Sequence, residues 1–120
     1  MGRHIETGRI GEEIACREIK RMGYRILERN YRSKLGEIDL IALDGDVLVF
    51  IEIKTRTSSL EYAKEAIDRR KMKRLSMLAL SYIKKKGYEH MRARFDVVAV
   101  SMKDGKYQVE LIRNAFWCKT

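Results

Sequence analysis

The 120-residue chain contains no proline, a single tryptophan and two cysteines. Cys16 and Cys118 lie far apart and form no C-x-x-C pair, so we expect neither a zinc site nor a disulfide framework, and a reducing cytoplasm as the setting. The longest unbroken apolar run, residues 47–51, is much shorter than the roughly 20 residues that a spanning helix needs. The first residues, MGRHIETGR, lack the apolar core of a secretory signal, so we expect no export and no membrane association.

Positive charge, by contrast, is abundant in this chain. Lys and Arg number 26 against 17 Asp and Glu, which gives a formal net charge of +9. Hydrophobic residues make up 45% of the sequence, too many for a disordered tail. The length suits one hydrophobic core, so we predict a single domain over residues 1–120. A strongly basic surface on a small domain favours an anionic partner, and a nucleic acid is the simplest one.

The spacing of apolar residues predicts the element order α-β-β-β-α-β-β. Helical spacing extends over residues 8–22 and 60–86, and Gly23 and Gly87 are typical stop signals. Strand-like runs cover residues 24–30, 36–43, 46–56, 94–100 and 106–112, with Asp-Gly turns within two hairpins. We interpret Asp96, in the fourth run, as a structural residue at a strand start. Helices between strands predict an α/β fold whose sheet is covered by helices.

Acidic side chains interrupt the most apolar of these hairpins. A two-residue turn at residues 44–45 would place Glu37 opposite Glu52 and Asp39 diagonal to Glu52. Diagonal neighbours on paired strands are close enough for their side chains to converge. Because strand side chains alternate between faces, Lys54 lies on the same face as these acids. The sequence therefore predicts a charged cluster on one face of a core hairpin.

Carboxylates that share a desolvated patch repel one another and need a positive counter-charge. Lys54 supplies only one such charge, and a divalent cation bound by oxygens, Mg²⁺ or Mn²⁺, would supply the rest. Glu12 opens the core-facing stripe of the first helix and is directed along the sheet. The alternative is that these acids sit at strand ends in water, each paired with a Lys or Arg.

A run of basic residues marks the second helix, and we predict that Arg70, Lys71 and Arg74 bind nucleic acid, together with Arg56 at the end of the third strand. Lys71 also lies within the apolar stripe of this helix. It either covers apolar surface with its aliphatic stem, or it faces the carboxylates or a bound phosphate. A solvated basic face without a partner is the plainer interpretation of the whole run.

The segments GRIGEEIA, GEIDLIA, VFIEIKTR, RFDVV and IRNAF together resemble the YraN-like protein family. This family belongs to the restriction-endonuclease-like superfamily, alongside archaeal Holliday junction resolvases. The resemblance implies a three-layer α/β/α fold with a mixed central sheet. It assigns the motif acids of this superfamily to Asp39 and Glu52, the motif lysine to Lys54 and a helix glutamate to Glu12. Glu37 belongs to the GEID signature and is a candidate accessory residue.

The resemblance implies a metal-dependent nuclease that hydrolyses phosphodiester bonds in DNA, including branched or otherwise structured DNA. Asp39, Glu52 and Glu12 would hold Mg²⁺ or Mn²⁺, and Lys54 would act in catalysis. The alternative is a basic nucleic-acid-binding module that retains the nuclease fold without cleaving, and an RNA-associated accessory protein would share that basic surface. The small size of the chain is compatible with a homodimer on a branched substrate.

Overall fold

The structure is a computed structural model that describes residues 2–56 and 69–116. Within these residues the elements follow the predicted order, and the sequence-based α/β class is confirmed. They are α1 (Gly2–Arg21), β1 (Arg25–Ser33), β2 (Gly36–Asp44), β3 (Val47–Arg56), α2 (Arg69–Lys86), β4 (Arg92–Lys103) and β5 (Lys106–Phe116). The helix predicted over residues 60–86 is observed from Arg69 onward, and its first part, residues 60–68, lies outside the described residues.

The first helix begins at Gly2 and not near residue 8 as predicted. Apolar spacing marks only the part of a helix that packs against the sheet, and among residues 8–21 the buried apolar side chains begin at Ile14. Ile10, which the pattern included in that stripe, is 51% exposed. The periodicity therefore located the packed part of α1 and missed its first turns.

Both helices end in the same hydrogen-bonded motif at the two predicted glycines. After α1, the N–H of Gly23 donates to Lys20 and the N–H of Tyr24 donates to Ile19. After α2, Gly87 and Tyr88 repeat this pattern. Gly23 and Gly87 have φ angles of 95° and 71°, the left-handed conformation that this Schellman ending requires and that glycine adopts without strain.

The five strands form one mixed sheet in the order β1-β2-β3-β4-β5. Neighbouring strands are antiparallel except β3 and β4, which run parallel because the chain segment that contains α2 connects them. Asp104 and Gly105 form the predicted two-residue turn of the second hairpin, both with positive φ. The sheet is therefore built from hairpins at both edges around one parallel pair.

The predicted register of the β2–β3 hairpin is wrong by one turn position. Asp44 pairs with Val47, so the turn residues are Gly45 and Asp46, and Leu40 lies opposite Ile51. Gly45, with φ 62°, occupies the first turn position, where a positive φ favours glycine. This register aligns Asp39 with Glu52, whereas the predicted one aligned Glu37 with Glu52.

Two separate apolar clusters, one on each face of the sheet, give the three-layer α/β/α arrangement that the sequence resemblance implied. The cluster under α1 contains buried residues of that helix and of β2, β3 and β4, including Ile19, Leu40, Ile51 and Val98. The cluster under α2 contains Leu78 and Tyr82 of the helix together with Ile41 and Phe50 of the sheet. Helices therefore cover both faces, and the α2 face is the one that carries the alternate side chains of β3 at Phe50 and Glu52.

No helix in the described part of the chain is long and apolar enough to cross a membrane.

Candidate functional site

The central feature of the candidate site is the point where strands β2 and β3 leave their shared hydrogen-bonded ladder. The paired register runs from the turn to Leu40 and Ile51. At the next position, Oδ2 of Asp39 accepts a hydrogen bond of 2.8 Å from the backbone N–H of Ile53. The Asp39 carboxyl thus occupies a place that a backbone carbonyl would take in a continuous ladder, and this bond fixes its orientation.

The Glu52 carboxyl lies beside that of Asp39 and is almost completely buried, with 6% of the residue exposed. The two carboxyls are in hydrogen-bonding contact on the α2 face. Burial, followed by the charge of Glu52, raises the pKa of Asp39 to about 7, although the Ile53 N–H and Lys71 oppose this rise. The pair therefore holds two acids so close together that ionising both is costly.

Two lysines supply positive charge to this pair from different elements. Nζ of Lys71, on α2, lies 2.7 Å from Oε1 of Glu52, and Nζ of Lys54, on β3, lies 3.7 Å from the same oxygen. Burial lowers the pKa of Lys54, and the neighbouring Lys71 lowers it further. Burial is the largest single influence on Lys71 and acts to lower its pKa, but its hydrogen bonds to Glu52 and Lys54, together with the charges of Glu52 and Asp39, raise this pKa overall. We refer to Asp39, Glu52, Lys54 and Lys71 as the carboxylate–lysine cluster.

Glu12, the predicted third acid, lies on α1 and thus on the opposite face of the sheet. The helix approaches β3 very closely here, because a Cβ atom placed on Gly11 would lie 2.1 Å from Oγ1 of Thr55. Oε1 of Glu12 is buried and has no hydrogen-bond partner within the part of the chain that the structure describes. Among residues 2–56 and 69–116, no three His, Cys, Asp or Glu side chains are grouped so that they could hold a metal ion together. The structure thus brings together two of the three predicted acidic ligands.

Glu37, the predicted accessory acid, does not join the cluster. It pairs across the β1–β2 hairpin with Arg32, whose Nε donates to Oε2 of Glu37 over 3.1 Å. This is the strand-end arrangement that the alternative interpretation described for these acids. The corrected β2–β3 register explains the difference, because Asp39 and not Glu37 aligns with Glu52.

The predicted nucleic-acid contacts fall into two groups. Arg56, Arg70 and Arg74 are exposed, and Arg56 also donates to the carbonyl of Thr55 at the end of β3. Arg74 lies along the β1–β2 turn, where its Cδ would be 3.2 Å from a Cβ atom on Gly36. Lys71 differs from these arginines because its ammonium contacts Glu52, which is one of the two roles that the sequence left open.

A second buried charged network lies on the α1 face, where sequence analysis assigned only a structural role to Asp96. The Asp96 carboxylate is fully buried and accepts hydrogen bonds from Tyr24, from Arg94 and from the N–H of Asn114. Arg94 also donates to Asp44 over 2.8 Å and to the hydroxyl of Tyr24. Arg94 was not among the residues predicted from the sequence, although its spacing of two residues from Asp96 places both on one face of a core strand.

The carboxylate–lysine cluster fits a divalent cation in its chemistry. Asp39 and Glu52 present hard oxygen atoms at one point, and Mg²⁺ is commonly held by one or two carboxylates with water and substrate phosphates completing its shell. Burial and the charge of Glu52 raise the pKa of Asp39 in spite of Lys71, so additional positive charge would favour the ionised pair. Glu12, which belongs to α1 on the other face of the sheet, stays a prediction as a third ligand and is not needed for this fit.

Comparisons with known proteins extend over nearly the whole chain. Residues 11–100 match the model of a family described as "Uncharacterised protein family UPF0102". A UPF0102 protein of Syntrophus aciditrophicus (strain SB) is 45% identical over 118 residues, which cover 97% of this chain and 92% of the relative. A UPF0102 protein of Pelotomaculum thermopropionicum is 48% identical over 113 residues, which cover 91% and 93%. UPF0102 protein RHA1_ro06551 of Rhodococcus jostii (strain RHA1) is 41% identical over 119 residues, covering 97% and 100%.

Proposed function

We propose a function on the premise that this chain belongs to the uncharacterised protein family UPF0102, as the family match over residues 11–100 shows. The proposal is a metal-dependent nuclease that hydrolyses phosphodiester bonds in DNA, with residues 1–120 forming one nuclease domain. The observation that carries it is the carboxylate–lysine cluster, in which Asp39, Glu52 and Lys54 meet at one end of the β2–β3 hairpin.

The contact between the Asp39 and Glu52 carboxyls lowers the stability of the fold, and its presence in spite of this loss supports a functional role. Two contacting carboxyls, one of them almost fully buried, oppose folding unless something compensates their charge. A well-packed apolar pair would serve the sheet better at these positions. Perturbed, contacting titratable groups are typical of sites that bind ligands or perform chemistry.

Asp39 and Glu52, whose carboxyls are in contact, would hold Mg²⁺ or Mn²⁺, whereas Glu12 stays a prediction from the sequence because it lies on the α1 face. When bound, such a cation lowers the pKa of a water molecule and stabilises the negative charge that develops on the scissile phosphate. The hydrogen bond from the Ile53 N–H holds one oxygen of Asp39 in place before any ligand arrives. Preorganised groups of this kind avoid the cost of reorientation during the reaction.

Lys54 would act directly on the reacting phosphate. Its ammonium lies 3.7 Å from Oε1 of Glu52, and 14% of its side chain is exposed. From this position it would donate a hydrogen bond to the attacking water or to a phosphate oxygen. A cation in a partly desolvated site interacts strongly with developing negative charge.

The exposed arginines Arg56, Arg70 and Arg74 would bind phosphates on either side of the cleaved bond. Bidentate guanidinium contacts to phosphate favour backbone recognition without sequence reading. The net charge of +9 supports such binding. The resemblance to archaeal Holliday junction resolvases is what favours DNA, and branched DNA in particular, as the substrate.

The experiment that tests this function is a cleavage assay on labelled single-stranded, duplex, flap and four-way-junction DNA with Mg²⁺ or Mn²⁺. We expect metal-dependent cleavage by the wild type and its loss in Asp39→Asn, which keeps the size of the side chain and an acceptor for Ile53. Asp46→Asn is the matched control, because Asp46 is exposed at the turn of the same hairpin. Equal cleavage by the wild type and Asp39→Asn would contradict the assignment, as would an absence of cleavage throughout.

The second candidate is a nucleic-acid-binding module that does not cleave. The specific observation in its favour is the Lys71–Glu52 contact of 2.7 Å, which supplies internally part of the charge that a metal would bring. This candidate predicts salt-sensitive binding that Asp39→Asn leaves intact. Replacing Arg70 and Arg74 by Met should then lower the slope of log affinity against log salt by about 0.9 for each lost phosphate contact.

A further inference from the structure

Lys71 is the part of the carboxylate–lysine cluster that comes from a helix and not from the sheet. It belongs to the first turn of α2 as described, and its ammonium reaches down to Glu52. Its 2.7 Å contact with Oε1 is a full ångström shorter than the contact that Lys54 makes with the same oxygen. Of the two lysines in the described part of the chain that contact Glu52, the nearer one therefore comes from the helix that covers the sheet.

The two ends of this contact differ in exposure. The side chain of Glu52 is 7% exposed and fixed within the strand, whereas that of Lys71 is 33% exposed. A long, flexible lysine side chain at this exposure has conformations that turn its ammonium toward solvent while its aliphatic stem stays on the protein surface. Its neighbours Arg70 and Lys73 are both exposed, so Lys71 lies at the border of a surface that attracts phosphates.

A divalent cation and the Lys71 ammonium would compete for the same carboxylate. Oε1 of Glu52 already contacts two ammonium groups, and a metal ion at this oxygen would repel the nearer one strongly across so short a distance. A phosphate group is negatively charged, as the Glu52 carboxylate is, and it therefore offers Lys71 an alternative partner. Metal binding and phosphate binding would then each favour the same displaced position of Lys71.

We propose, building on the nuclease function above, that Lys71 is an internal counter-cation that occupies Glu52 until a nucleic-acid phosphate draws its ammonium away. Divalent cation and nucleic acid then bind cooperatively, because each relieves the contact that opposes the other. By thermodynamic linkage, the factor by which nucleic acid tightens metal binding equals the factor by which metal tightens nucleic-acid binding. The full metal affinity is reached only with substrate present.

The test is calorimetric titration of Mn²⁺ into the full chain, with and without a duplex carrying phosphorothioate linkages, which keep the backbone charge and resist cleavage. Without DNA, we expect Lys71→Met to bind Mn²⁺ about tenfold more tightly than the wild type, within the usual range of coupling between sites. DNA should tighten Mn²⁺ binding about tenfold in the wild type and leave it unchanged in Lys71→Met. Lys71→Arg, which keeps the charge, should resemble the wild type.

Lys73→Met is the matched control, since it removes one positive charge from the exposed face of the same helix turn. An equal gain in Lys73→Met and Lys71→Met would overturn the inference, because a general charge effect would then suffice. Unchanged Mn²⁺ affinity in Lys71→Met would also overturn it, while the proposed nuclease function would stand if Asp39→Asn still abolished Mn²⁺ binding. Absence of Asp39-dependent Mn²⁺ binding in every variant would overturn both this inference and the proposed nuclease function.

Thermal unfolding measures whether each variant is folded. Lys71→Gln replaces Lys71→Met if Lys71→Met does not fold.

Discussion

Asp39 and Ile53 are joined by a side-chain to backbone hydrogen bond of 2.8 Å, which lies just beyond the last paired residues of strands β2 and β3. The N–H of Ile53 donates to the carboxylate instead of to a carbonyl of the neighbouring strand. The carboxyl of Asp39, held by this bond, is also in contact with that of Glu52 on the α2 face. The same local departure from the ladder thus orients the Asp39 carboxyl beside Glu52.

The raised pKa of Asp39 predicts a specific dependence of stability on pH. The folded chain holds a proton on Asp39 up to about pH 7, whereas an ordinary aspartate loses it near 3.8, so the folded state binds more protons between these values. The free energy of unfolding of the wild type, relative to Asp39→Asn, should therefore fall as pH rises from about 4 to about 7, by up to about 4 kcal/mol. Urea unfolding of both proteins in EDTA measures this, and a pH-independent difference would contradict the pKa assignment.

Replacement of Lys54 should separate catalysis from binding. Under the proposed function, Lys54→Met should lower the rate of DNA cleavage by about a hundredfold to a thousandfold, the usual cost of removing one group that stabilises developing charge. Its affinity for DNA should stay within about twofold of the wild type, because Lys54 is largely enclosed and contacts Glu52. Single-turnover rates and fluorescence anisotropy measure the two quantities. Lys85→Met, at the exposed far end of α2, is the control, and a parallel loss of rate and affinity in Lys54→Met would show a binding role instead.

Loss of the Asp96 carboxylate should destabilise the fold without any direct effect on the proposed chemistry. Asp96→Asn leaves the guanidinium of Arg94, 13% exposed, without its closest buried counter-charge and removes an acceptor from Tyr24 or Asn114. We expect a loss of about 3–5 kcal/mol in the free energy of unfolding. Asp46→Asn, which breaks the exposed pair with Arg92, should cost no more than about 1 kcal/mol. Denaturant unfolding compares the two, and equal losses would contradict the importance of the buried network.

Gly11 should tolerate no side chain, although it lies within a helix. A Cβ atom there would lie 2.1 Å from Oγ1 and 2.8 Å from Cγ2 of Thr55, so Gly11→Ala should push α1 away from β3 at a cost of about 1–3 kcal/mol. Gly8 is the matched control, because a Cβ atom there meets nothing within 4 Å. Gly8→Ala should raise the free energy of unfolding by up to about 1 kcal/mol through helix propensity. A gain in stability in both variants would disprove the close approach.

Local patterns in the sequence were sufficient to predict much of the fold. Period-two alternation located the strands, Gly23 and Gly87 marked where the helices end, and Asp104-Gly105 marked one hairpin turn. Each of these signals depends on the conformational preferences of a few consecutive residues. The start of α1 was not predictable in this way, because the sequence of residues 2–9 contains no apolar residues at helical spacing.

The acids of the candidate site were also named from sequence, but their arrangement was not. A turn displaced by one residue exchanges Glu37 for Asp39 opposite Glu52, and the sequence around Gly45 is compatible with either register. Glu37 then pairs with Arg32 across a different hairpin. The motif residues were therefore identifiable individually, while their partners depended on a register that local preferences do not decide.

By itself, the sequence determined the α/β class, the element order, the family and the presence of acids and a lysine on the central strands, because these depend on composition and short-range spacing. Only the tertiary structure decided that Lys71 contacts Glu52, that Glu12 lies on the other face of the sheet, and that Arg94 joins Tyr24 and Asp96. These contacts link residues far apart in the chain. They follow from how each helix packs on the sheet and from the register between strands, and both are properties of the whole folded chain.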